Sequence, residues 1–198
     1  MAEAPPPPPP PPTAPTPALR RGLTFDIFIL IGAIMALIAF VSFFLPWSVA
    51  SDTVSTSFNG FGTGSVSYAG AKMTYSHNLG FIGMIGFVFT LLAFILMLVK
   101  AFMPMLGGAL QAYEPLMDKL TMVFAGLGLI LGIVYGGLLL GCVGSVHWRV
   151  EYMGYVSEGE SDFSGAFGSY GVGYGFIMFI IFIILAIAFY KKLIKPLG

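Results

Sequence analysis

The stretch from Leu116 to Ser145, LMDKLTMVFAGLGLILGIVYGGLLLGCVGS, carries seven glycines and no charge after Lys119. About 20 consecutive apolar residues cross a bilayer as a helix, and regularly spaced glycines let a second helix backbone come close. Three further apolar runs can supply such neighbours. The pattern predicts an all-α transmembrane four-helix bundle, with a small β-rich extracytoplasmic cap formed by the two long loops. Only 9% of the 198 residues are charged, where a soluble domain carries about 25%. The lipid bilayer is therefore the first partner expected. A net charge of zero removes the clustered basic face that nucleic acid requires. The single cysteine, Cys142, excludes an intrachain disulfide and a cysteine-based metal centre.

Residues 1–22 read as a disordered, proline-rich cytoplasmic tail. Pro5 to Pro12 is an unbroken run that fixes φ and removes donors, which leaves an extended polyproline rod. Spans are expected at 23–47, 79–103, 116–144 and 173–190. They are joined by an outer loop at 48–78, a connector at 104–115 and a second outer loop at 145–172, and a tail follows at 191–198. Thr24 can cap the first span and Asp26 suits its positive end. Pro46-Trp47 closes it, with the indole at the far interface. In the first loop, Val49, Ser51, Thr53 and the run Thr56-Ser57-Phe58 suggest one strand, residues 65–68 and residues 72–75 two further short ones, and Asn59-Gly60 a turn. In the second, residues 147–152 suggest a strand, followed by an acidic turn over residues 158–162. Seven Lys and Arg flank the short segments (Arg20, Arg21, Lys100, Lys119, Lys191, Lys192, Lys195), against Lys72 and Arg149 in the long loops. That bias predicts a multi-pass protein of the cell membrane with both termini cytoplasmic.

Small residues mark the helix contacts. Gly83, Gly86, Thr90 and Ala93 form one seam on the second span. On the third, Gly128, Gly132 and Gly136 line one side, while Gly126, Gly137, Gly141 and Gly144 line another, at about 100° per residue. The helix-packing residues expected are thus Gly83, Gly86, Gly128, Gly132, Gly136, Gly137 and Gly141. The halves also match each other. Leu23-Thr24 and Leu120-Thr121 lie 97 positions apart, as do Ser48-Val49 and Ser145-Val146. Gly80-Phe81-Ile82 and Gly175-Phe176-Ile177 lie 95 apart. These offsets suggest a tandem helix–loop–helix duplication.

Catalytic chemistry finds no foothold. No Ser/His/Asp set or paired carboxylate falls against a span, so no enzyme activity and no cofactor are expected. His77 and His147, even with Asp52 or Glu151, lack a ligand spacing. Glu158, Glu160 and Asp162 lack the order of a calcium loop. Val172-Gly173-Tyr174-Gly175 is similar over four residues to the core of a potassium-channel filter. It is preceded by Gly171 and a polar segment and followed by Phe176, so it reads as a glycine–aromatic hinge.

The overall layout resembles that of the claudin-like tetraspan proteins: four spans, termini inside, and a larger first outer loop of β character. The resemblance is one of architecture across the chain. The tryptophan motif and cysteine pair of that family's first loop are absent, so no functional residue carries over. The function expected is structural: a scaffold, a complex subunit or a surface-interaction protein, with a protein partner or a second copy of itself. Ser, Gly and Tyr make an adaptable recognition face, with Phe58, Tyr68, Trp148, Tyr152 and Tyr155 as contact residues. A small channel or transporter subunit is the alternative.

Overall fold

The computed structural model describes residues 25–50, 56–106, 108–163 and 171–193. The proline tract, Arg20-Arg21, the Leu23-Thr24 helix start and Lys195 lie outside these. Helix α1 (Ile27–Val41) is capped by Asp26, whose Oδ1 accepts from the amides of Phe28 at 3.1 Å and Ile29 at 3.3 Å. A 3-10 turn, Ser42–Phe44, follows, and the chain passes at once into strand β1 (Pro46–Ala50). Then come β2 (Thr56–Asn59), β3 (Thr63–Tyr68), β4 (Ala71–His77), α2 (Gly80–Leu106), the four-residue α3 (Gly108–Gln111) and α4 (Glu114–Leu140). Strands β5 (Ser145–Tyr152), β6 (Tyr155–Asp162) and β7 (Gly171–Val172) lead to α5 (Tyr174–Tyr190).

The chain is therefore not an all-α bundle. It is a mixed α/β fold with two antiparallel sheets, ordered β2-β1-β7 and β3-β4-β5-β6. Three helical stretches, Ile27–Phe44, Gly80–Leu106 and Glu114–Leu140, are long and apolar enough to cross a membrane, and α5 is shorter. Pro46 explains the early end of the first helix: it has no amide to continue the ladder and opens a strand instead. Trp47 then folds back, its indole N–H donating to the Ser42 carbonyl at 2.9 Å. It is buried rather than placed at an interface. Pro104, by contrast, is accommodated inside α2 near its end.

Both hairpins of the larger sheet turn on two residues with positive φ: Ala69 (47°) and Gly70 (82°), and Met153 (47°) and Gly154 (85°). Such turns match the twist of paired strands. With the second turn at Met153-Gly154, the acidic run 158–162 is not a turn but the body of β6, in unbroken register from Tyr152↔Tyr155 to Ser145↔Asp162. The tandem duplication does not extend to the fold either. Ser48-Val49 lies in the three-stranded sheet and its sequence match Ser145-Val146 in the four-stranded one.

Helices α1 and α4 each pack against both α2 and α5, so the four close a ring. Small residues make this possible. A Cβ on Gly86 would sit 3.4 Å from Leu131 Cβ, and one on Gly128 2.7 Å from Thr90 Oγ1. On Gly132 and Gly136 it would overlap the Phe179 and Phe176 rings of α5. The second glycine face behaves otherwise: Gly126 and Gly137 have no neighbour within 4 Å, and Gly141 meets only its own helix and Val143. At the end away from the strands, Lys100 of α2 bonds Asp118 of α4 and lies 3.5 Å from Glu114. Tyr190 of α5 donates to the same Asp118. Lys192, just beyond α5, pairs with the α1 cap Asp26 at 2.7 Å. Gly132→Ala is expected to lower stability by about 1–3 kcal/mol through overpacking. Gly137→Ala, with open space and better helix propensity, should be neutral or stabilising by up to about 1 kcal/mol. Thermal unfolding of both variants in detergent checks the pair.

Candidate functional surface

Alternation along the four-stranded sheet gives it two chemically different faces. Its inner face carries Tyr75, His77 and Val146, all buried, with Val66, Met73, Trp148 and Val150 partly covered. Three contacts seat this face on the rest of the molecule. The Tyr75 hydroxyl clips β2, accepting from the Ser57 amide and donating to the Ser57 carbonyl, both at 2.9 Å. Burial raises the pKa of this phenol, which keeps the donated proton in place. The turn Asn59–Gly62 fits between helix ends: the Gly60 amide donates to the Phe43 carbonyl at 2.8 Å, and the His77 amide to the Gly62 carbonyl at 2.7 Å. Finally, His77 bridges sheet and helix. Its Nε2 lies 2.7 Å from the Val143 carbonyl and its Nδ1 3.3 Å from the Tyr135 hydroxyl. A carbonyl only accepts, so Nε2 carries the proton and Nδ1 accepts from Tyr135.

The outer face holds a shallow trough of about 860 Å³. Strand register sets its lining in two parallel rows, Thr63–Ser76–His147–Glu160 and Ser65–Thr74–Arg149–Glu158. Each row runs hydroxyl, hydroxyl, nitrogen-bearing side chain, carboxylate. His147 Nε2 is 3.5 Å from Glu160, which also accepts from the Ser145 hydroxyl. Arg149 leans to Glu151 at 3.6 Å. Asn59 closes one end, accepting from the amides of Phe61 and Thr63 at 3.0 Å. The opposite end of the sheet is the β5–β6 hairpin tip. There Tyr152 is 42% exposed, Met153 80% and Tyr155 81%, with no charge among them.

The expected contact residues divide accordingly. Tyr152 and Tyr155 are exposed at the tip. Trp148 is half-buried, its indole lying over Gly159. Phe58 is interior, at 0% exposure between Tyr75 and Phe163, and so is not available as a surface contact. The Tyr68 side chain falls outside the described part. Of the packing residues, Gly83, Gly86, Gly128, Gly132 and Gly136 stand in close contacts, and Gly137 and Gly141 do not. The filter-like Val172-Gly173-Tyr174-Gly175 is a strand-to-helix junction, with Val172 paired to Ser48 and the Gly173 amide donating to Trp47 at 2.8 Å. Among the described residues, no group of three His, Cys, Asp or Glu side chains comes together to hold a metal ion. Sequence reasoning missed the Met153-Gly154 turn, although a glycine between two tyrosine-flanked alternating runs is its signal.

Comparison with protein families, with curated proteins and with solved structures finds no match to this chain.

Burial holds the His77 imidazole below its ordinary pKa, with the Val143 carbonyl acting in the opposite sense. Tyr135 is the only titratable group bonded to its ring among the described residues. The folded state thus resists protonation. The contribution of His77 is whole above the unfolded value of about 6.5 and is lost as pH falls below it. Thermal stability is expected to drop between pH 7 and pH 5. His77→Gln should lower stability at pH 7.5 by about 1–3 kcal/mol and flatten that drop. An unchanged pH profile in the variant would remove His77 from this role.

Proposed function

We propose that this chain is an integral membrane protein of tetraspan type, without enzymatic activity, that acts by association. Its helical ring lies in the cell membrane and the strand-bearing cap projects on the extracytoplasmic side, with both termini cytoplasmic. Three helices long and apolar enough to cross support the membrane setting. Helix α5, at 17 residues and 1.5 Å each, measures about 25 Å, roughly a turn short of a 30 Å hydrocarbon core. Local bilayer thinning accommodates such a deficit. The Lys and Arg bias supports the orientation.

The observation that carries the association reading is the hairpin tip. Tyr152, Met153 and Tyr155 are uncharged, large and exposed, and a two-residue turn fixes them in place. Met153 occupies a φ of 47°, a conformation that Asn or Gly adopts more readily. An apolar side chain is thus held outward at some conformational cost. Rigid aromatic and methionine anchors are the residues around which interface energy concentrates. The ring interior, by contrast, is filled by Ala33, Ala36, Ala93, Met97, Phe179 and Ile183, all fully buried, which favours association over conduction.

A photo-cross-linking residue at position 155, in native membranes, is expected to yield one discrete, stoichiometric adduct that weakens at least fivefold in Met153→Ser. Purified protein in planar bilayers should pass no selective current. A conductance abolished by Gly173→Val would replace this reading with a channel.

A further inference from the structure

The association reading leaves open what the cap binds, and the edge of the larger sheet narrows it. Strand β6 is eight residues long and, among the described residues, pairs only with β5. Among the described residues, no strand pairs with the amides and carbonyls of its other side. Natural edges of this kind are blunted by proline, by bulges or by charged side chains, lysine above all. Strand β6 has no proline and no lysine, and its register with β5 is continuous. Its blunting is by acid alone: Glu158, Glu160 and Asp162 alternate along one face, all exposed, which repels acidic strands and leaves basic ones admitted.

We propose that the free edge of β6 takes up an extended segment of a partner protein as an added strand, one with Lys or Arg at alternate positions and apolar residues between them. The inference rests on the association reading and names the partner's chemistry. Adjacent strands lie about 4.8 Å apart, so cations on the guest would stand beside Glu158, Glu160 and Asp162. Arg149, one strand further in, would be nearly 10 Å away. Neither Glu158 nor Asp162 has an ion-pair partner among the described residues. On the opposite face β6 offers Ser157, Gly159 and Ser161, which are small, and the Trp148 indole reaches over Gly159. A Cβ there would lie 2.6 Å from its Cζ2. The guest's alternate apolar side chains would pack against that indole. A second copy of this chain is disfavoured at the edge, because pairing β6 with β6 sets carboxylate against carboxylate.

The test uses the full chain in phosphatidylcholine nanodiscs and two labelled peptides, one alternating Lys and Val over seven residues and one alternating Glu and Val. The Lys peptide is expected to bind at least tenfold more tightly than the Glu peptide, and more weakly as salt rises. Binding should fall at least tenfold when one of the two alternate sets of peptide nitrogens is methylated, and the β6 amides should exchange at least tenfold more slowly in the complex. Glu158→Lys with Glu160→Lys should reverse the charge preference. Absence of binding by the Lys peptide, binding of the Glu peptide as tight as that of the Lys peptide, indifference to methylation in both sets, or a β6-dependent dimer of the chain would overturn the proposal. Should the position-155 adduct persist while the peptide fails, the edge assignment alone falls; loss of both removes the association reading itself.

Discussion

The cap is held on the helices by a close backbone approach that only glycine permits. In the turn Asn59–Gly62, a Cβ on Gly60 would lie 2.7 Å from a Phe43 ring carbon and 2.8 Å from the Trp47 indole. On Gly62, at φ 73°, it would run into the Tyr135 hydroxyl, and on Gly83 into the Gly60 carbonyl. The turn thus lies against the α2 backbone at Gly83 and against the chain at Phe43, and the Tyr135 side chain of α4 closes the seat. The amides released by that crowding are paired, to Phe43 and from His77 to Gly62, which satisfies the demand that buried backbone groups be bonded. Around the seat, Phe43, Trp47, Phe176 and Phe179 meet tilted or edge-on with centroids 4.7 to 5.3 Å apart, within the favourable range for aromatic pairs.

From that seat the two ends of the molecule acquire different physics. At the strand end, neutral hydrogen bonds through Tyr75, His77 and Asn59 fix the position of the larger sheet. At the other, ions do the joining: Lys100, Asp118 and Glu114 bind α2 to α4, Tyr190 adds α5, and Asp26 with Lys192 ties α1 to α5. The ring between them is held by packing, with Gly132 and Gly136 of α4 admitting the Phe179 and Phe176 rings. A rigid base of this kind allows the larger sheet to present its polar face, its acidic edge and its tyrosine tip in fixed relation to one another.

The apolar runs were legible, because lipid-compatible helices differ from loops in composition over long windows. The seam Gly83, Gly86, Thr90, Ala93 and the Gly128, Gly132, Gly136 face were legible from helical period alone. Which glycine face finds a partner was not: Gly137 and Gly132 are indistinguishable until the position of the Phe179 ring is known. Alternation exposed strands β3, β4 and β5, but not the fate of Phe58. Side-chain chemistry does not say which face of a two-sheet cap is covered, and here β2 is covered by Tyr75 and Phe163. The early exit of Trp47 into β1 and the body of β6 were hidden for the same reason. A strand's pairing depends on a distant partner, and the two matching halves entered different sheets.

Residue-resolved hydrogen exchange on the full chain in lipid nanodiscs tests the seated turn most directly. If the glycine approach holds the cap, the amides of Gly60 and His77 should exchange as slowly as those in the middle of α4, and far more slowly than Met153 and Gly154 at the hairpin tip. Exchange of Gly60 and His77 at the rate of the tip would mean that the turn is not seated, and that the sheet is not carried on the helices in the way described.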